Sequence, residues 1–79
     1  MMIPIEVDQY LTAAQLEVLR LLVSGLGRKE IAYQLGVTES AVKARVIAAR
    51  RRLGAKTTIQ AVGLAYELGQ LRKEAGADQ

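Results

Sequence analysis

Residues 27–43 read Gly27-Arg28-Lys29-Glu30-Ile31-Ala32-Tyr33-Gln34-Leu35-Gly36-Val37-Thr38-Glu39-Ser40-Ala41-Val42-Lys43, two helix starts set close together. Gly27 stands as an N-cap, and Glu30 follows in the first turn, where a carboxylate suits the positive end of a helix. Leu26 and Ile31 are spaced to close a hydrophobic staple. A helix is therefore expected over 28–35, ended by Gly36. Thr38 caps the next helix, with Val37 and Val42 as its staple, and that helix runs over 39–53 until Gly54 ends it. The two helices are joined by a turn of about three residues that contains Gly, which is the helix-turn-helix signature. On a wheel of about 100° per residue, Val42, Val46, Ala49 and Leu53 form one apolar stripe on the later helix and are expected to face the core.

Upstream, Thr12 and Gln15 form a capping box, Leu11 and Leu16 a staple, and Leu16, Leu19, Leu22 and Val23 an apolar face that stops at Gly25. Downstream, Thr57 and Gln60 form a second capping box. It opens a fourth helix holding Ile59, Val62, Ala65, Tyr66 and Leu68, expected to reach about Lys73, with Gly63 and Gly69 weakening it. Ile3, Ile5 and Val7 alternate around Pro4 and read as an extended arm lying on the first helix rather than a sheet strand. The expected fold is all-α: a four-helix helix-turn-helix domain over 11–73, preceded by a short N-terminal arm (1–10) and followed by a flexible C-terminal tail (74–79).

The 79 residues allow a single domain, which at this size buries about 60% of the surface of the unfolded chain. Half of them, 51%, are hydrophobic and Pro occurs once, a composition that folds rather than staying disordered. With no Cys and no His, the sequence has no disulfide, no usual metal-ligand set and no thiol or imidazole for catalysis. Neither a phosphate-cradling Gly loop nor paired carboxylates are present, so the expectation is a non-enzyme that needs no metal or cofactor. No apolar run approaches the roughly 20 residues of a membrane span, and the N-terminus has no basic start of a signal peptide. A soluble, cytoplasmic protein is expected. The only aromatics are Tyr10, Tyr33 and Tyr66, too scattered for the stacking platform of an RNA or single-strand binder.

Net charge is +3, unevenly placed. Residues 28–56 hold eight cations against two carboxylates, net +6, while 1–27 and 57–79 carry −2 and −1. A basic block between weakly acidic flanks suits a polyanion, because neutralising phosphates releases counterions. Opposite the inward stripe of the helix over 39–53 lie Ser40, Lys43, Ala44, Ile47 and Arg51, set to enter a DNA major groove. Lys43, Ala44 and Ile47 are the candidates for base contact: Lys43 toward guanine O6 or N7, the other two against thymine methyls. Ile47 can also be read as an incidental exposed apolar residue. Ser40, Arg45, Arg50 and Arg51 are candidates for the phosphate backbone, with Lys29, Thr38 and the first amides of both helices. Arg52 suits either a phosphate or the carbonyls at its own helix end.

Leu11-Thr12, Glu17-Val18-Leu19, Gly25-Leu26, Lys29-Glu30-Ile31-Ala32, Leu35-Gly36-Val37-Thr38-Glu39, Val42-Lys43, Leu53-Gly54-Ala55 and Gln60-Ala61-Val62, in that order, resemble the LuxR-type helix-turn-helix domain over residues 11 to about 68. The resemblance implies a four-helix DNA-binding domain of a bacterial transcription regulator that pairs through its last helix on a roughly palindromic site. Lys43, Ala44 and Ile47 match the family's base-facing places, and Lys29 a backbone-contact place. The chain departs from the pattern at Ala14 and Gln15, where Arg and Glu are usual, and at Ala41, where a phosphate-binding Thr is usual. It departs again at Arg45, where His is usual, and at Thr58, where Arg is usual. Val42-Lys43-Ala44-Arg45 and Ala49-Arg50-Arg51-Arg52-Leu53 also resemble region 4 of sigma factors, which gives an alternative: a module that binds RNA polymerase or another regulator. A receiver or ligand-binding domain usually precedes this domain, and here about ten residues do. The expectation is constitutive binding, control by abundance, or a signal from a partner protein.

In the fourth helix the apolar residues spread over roughly 220° of the wheel, more than one buried face requires. Leu64, Leu68 and Leu71 are the expected homodimer contact, setting two reading helices one DNA turn apart. The alternative cover for that face is the arm, Ile3 to Val7.

Overall fold

The computed structural model describes residues 10–72. Among them are four helices and no strand: α1 (Ala13–Val23), α2 (Arg28–Leu35), α3 (Glu39–Leu53) and α4 (Thr58–Glu67). The all-α class holds, and α2 and α3 have the expected bounds. Segments 1–9 and 73–79 lie outside the described residues. They take with them nearly all of the expected arm, including Ile3, Ile5 and Val7, the whole tail, and Lys73.

Each helix start rests on its own hydrogen bonds. Thr12 Oγ1 accepts from Gln15 N–H at 3.1 Å and Gln15 Oε1 accepts from Thr12 N–H at 3.0 Å, closing the expected box. At α2, Glu30 Oε1 accepts from Gly27 N–H at 2.8 Å. Thr38 Oγ1 accepts from Ala41 N–H at 3.0 Å to open α3. The second capping box is only half as expected. Thr57 Oγ1 does accept from Gln60 N–H at 3.0 Å, but Gln60 Oε1 accepts from Lys56 N–H at 2.7 Å instead of from Thr57. Thr57 is more extended than Thr12, with φ −133° against −71°, which turns its own N–H away and offers that of the preceding residue.

The helices also end alike, with a six-to-one bond back into the last turn. Leu26 N–H donates to the Leu21 carbonyl, Val37 to Ala32, Ala55 to Arg50 and Gln70 to Ala65, at 3.2, 3.0, 2.8 and 2.8 Å. The fourth of these corrects the expected length of α4, which ends at Glu67 rather than near Lys73. Gly69 sits at φ +75°, a left-handed position that costs Gly little, and the chain reverses there. The reversal sends Leu71 back into the core and lets Gln70 Oε1 accept from Leu11 N–H at 2.6 Å, tying the end of the domain to its beginning.

The core has two parts that meet at α1. Val18, Ile31, Ala32 and Val42 bind α1, α2 and α3 together. Leu19, Ala49, Leu53, Ala61, Ala65 and Leu71 join α1, α3 and α4. Two of the faces read from the wheel, those of α1 and α4, shift in detail. Val23, expected inward on α1, is exposed, and its place is taken by Val18 on the α2 side. Ile59 and Leu68 are exposed, because the face of α4 that meets α3 is made of Ala61 and Ala65. Small residues there, opposite Ala49, let the two helices approach closely, and bulky neighbours on α4 are left outside.

Candidate nucleic-acid interface

The orientation of α3 follows from its packing. Val42 and Ala49 are fully buried, Leu53 nearly so, and Val46 is half-buried against the α1–α2 cluster, so the expected stripe is the one that packs. Contacts with α1, α2 and α4 hold the helix on three sides. The remaining side is open: Ser40, Lys43, Ala44 and Arg51 are exposed and Ile47 is half-buried. These residues share one helix face, which is what an element entering a major groove requires.

On one flank of that face Lys43, Ile47 and Arg50 line a groove of ≈ 430 Å³ together with Arg28, Thr58, Leu22, Val42 and Val46. Three cations from α2 and α3 thus rim an apolar floor. Arg28 and Thr58 were not among the residues expected from sequence. The α3 wheel cannot reveal them, since Arg28 opens α2 and Thr58 opens α4; the available signals were the place of Arg28 in the basic block and Thr58 standing where the resembled family usually has Arg.

Arg50, a candidate for the phosphate backbone, is held against the domain rather than extended. Its Nη2 donates to the Lys56 carbonyl at 3.2 Å, and its Nε is buried without a hydrogen-bond partner. The guanidinium folds over the connection between α3 and α4 because that connection, turned by Gly54, passes beneath it. Arg45 and Arg52, on the opposite flank, are half-buried, and Arg52 is engaged within the domain.

Lys29 is exposed near the start of α2 and lies beside Leu26, Glu30, Tyr33 and Gln34 in a second groove, where Tyr33 is 90% exposed. Thr38 is exposed too, and its hydroxyl oxygen is already the acceptor that caps α3. Its O–H remains as a donor for a phosphate oxygen.

The expected dimer face breaks up. Leu71 is 4% exposed and belongs to the core of this chain, and Leu64 is half-buried against the same cluster. Leu68 alone is open, at 41%. The more continuous exposed apolar surface runs instead from Val23 on α1 to Ile59 on α4, around a groove of ≈ 240 Å³ lined also by Leu22, Thr58 and Val62. The cause is the early end of α4, after which the chain turns Leu71 inward.

Among the described residues no group of His, Cys, Asp or Glu is placed to hold a metal ion, and no helix is long and apolar enough to cross a membrane. With this geometry in view, the comparisons with known proteins are informative. The chain is 39% identical over 64 residues to the transcriptional regulatory protein YdfI of Bacillus subtilis (strain 168), covering 81% of this chain and 30% of that one. It is 42% identical over 57 residues to the glycerol metabolism activator of Pseudomonas putida, covering 72% of this chain and 26% of that one. The chain therefore spans less than a third of the length of these curated relatives. No solved structure matches it significantly. The family model described as bacterial regulatory proteins, luxR family, matches residues 9–65, and so this chain, with four helices among its described residues and a helix-turn-helix at α2 and α3, belongs to the luxR family of bacterial regulatory proteins.

Proposed function

We propose that this chain binds double-stranded DNA sequence-specifically as a small bacterial or phage transcription regulator, with α3 in the major groove. The observation that carries the reading is the one open side of α3: its opposite stripe is locked in the core, and the open side lies within the segment of charge +6. Lys43 contacts guanine, and Ala44 and Ile47 pack on thymine methyls. Ser40, Arg45, Arg51, Lys29 and the Thr38 hydroxyl position the domain on phosphates without reading sequence. The role is binding, with no catalytic step and no cofactor, and its place is the cytoplasm, on the nucleoid. Two matches to proteins named as a transcriptional regulator and an activator support it.

Titrating a random-sequence duplex with the chain tests this. Log affinity falls steeply and linearly with log salt, with a slope of about −0.9 for each phosphate contacted. Selection from a random duplex pool then yields a preferred site. Flat salt dependence together with no selected site favours the second reading, docking on RNA polymerase or a signalling partner. For that reading the specific observation is Tyr33, almost fully exposed beside Leu26 on α2.

The working unit is a homodimer, now centred on Ile59, Val62 and Val23 rather than on Leu64, Leu68 and Leu71. A twofold contact between such patches buries side chains that the fold leaves in water. In sedimentation at micromolar concentration, Ile59→Glu dissociates the dimer, whereas Leu68→Glu has a much smaller effect. If Leu68→Glu alone dissociates it, the contact lies at the other end of α4.

A further inference from the structure

We propose that the groove between the start of α2 and the flank of α3 is a seat for one phosphate of the DNA backbone, and that Arg28 is a DNA contact. The inference rests on the duplex-binding reading and adds to it a residue and a site. Arg28, Lys43 and Arg50 come from two helices and rim the same groove, whose floor is Leu22, Val42, Val46 and Ile47. Arg28 and Lys43 are exposed and Arg50 is half-buried, so three positive charges converge on one open groove, where their pulls on a single anion add. Neither Arg28 nor Lys43 is held by a carboxylate among the described residues, so both charges are available.

Arg50 supplies the second, independent observation. Its Nε–H is already stripped of water and has no acceptor, a state that costs free energy in the unbound protein. The one bond holding the guanidinium, from Nη2 to the Lys56 carbonyl, is at 3.2 Å the longest of the side-chain bonds in the domain's described hydrogen bonds. A phosphate oxygen entering the groove offers the missing acceptor, with a charge-assisted bond in place of a neutral one. A small rotation of the guanidinium about its last side-chain bonds exposes Nε–H to it. Lys43 serves two neighbours in this arrangement, reaching the base edge on one side and the seated phosphate on the other. Ile47 stands between them, and its half-buried state follows from walling the groove.

Arg28→Gln tests the seat, with Arg20→Gln as the control, an exposed cation on α1 that does not line the groove. Affinity for random and selected duplexes is measured across a salt series, and circular dichroism confirms that each variant folds. Arg28→Gln is expected to weaken both duplexes alike, several-fold, and to make the salt slope shallower by about one. Arg20→Gln should leave the slope unchanged. In the wild-type chain, the Arg50 Nε–H resonance should move on addition of duplex. A steep wild-type slope with an unchanged Arg28→Gln slope overturns the seat and leaves the DNA reading standing. A wild-type chain that binds no duplex overturns both. If inorganic phosphate alone moves the Arg50 resonance to saturation below millimolar concentration, the groove is a site for a free anion, and the assignment to DNA is overturned.

Discussion

Leu19→Ala is expected to lower the free energy of unfolding by about 2–5 kcal/mol, since it deletes a fully buried side chain and leaves a cavity that its neighbours only partly fill. Leu19 is one of the largest side chains with no exposure, and it sits where α1 meets α3 and α4. Beside it on α1, Val18 belongs to the other cluster, with α2 and α3. Loss of Leu19 therefore loosens α4 directly and α3 on one of its three sides. Domains of this size often hold only a few kcal/mol of net stability, so the variant approaches the unfolding threshold at ordinary temperature. The measurement is a denaturant or thermal melt, in which Tm falls by about 4–8 °C for each kcal/mol lost. A loss below about 1 kcal/mol would mean that the site collapses easily and that α4 is held mainly by Leu53, Leu71 and the alanines.

Charge reversal at the open side of α3 has the largest expected effect on binding. Lys43→Glu with Arg51→Glu takes the net charge of the chain from +3 to −1, because each change removes one positive charge and adds one negative. Both residues are exposed, so the fold and its melting temperature should change little. Duplex affinity at low salt should fall by on the order of 100-fold or more, through loss of one base contact and one phosphate contact and through repulsion between the new carboxylates and the duplex. Anisotropy titration at fixed salt checks it. If the double variant binds within a few-fold of wild type, α3 does not face DNA, and the apolar surfaces around Tyr33 or Ile59 become the functional ones.

What could be read in advance divides along physical lines. The helix limits at Thr12, Gly27, Thr38 and Gly54 were legible because capping and left-handed termination are local: a side chain three residues away, or a missing Cβ, settles them. The core stripe of α3 was legible for the same kind of reason, since a regular helix sets which residues share a face, and its open side followed by subtraction. Arg28 escaped because its place beside Lys43 and Arg50 depends on how α2 lies against α3, and no pattern within one helix records that. Arg50 reads from its flank position as a phosphate contact, yet the Lys56 carbonyl in the α3–α4 connection takes up its guanidinium.

The last helix shows the division most clearly. Gly69 was visible as a weak point, but whether α4 would pass through it or stop there depended on what lay beyond. Stopping lets Leu71 join Leu19, Leu53 and Ala65 in the core and lets Gln70 hold Leu11, both contacts with residues far back in the chain. Local sequence thus determined the four helices of the described residues, where three of them end and which face of α3 is open. Packing between distant segments decided where α4 ends, which apolar residues remain in water and which cations gather in one groove. The reason is that burial is won by surfaces meeting, and two surfaces belong to different parts of the chain.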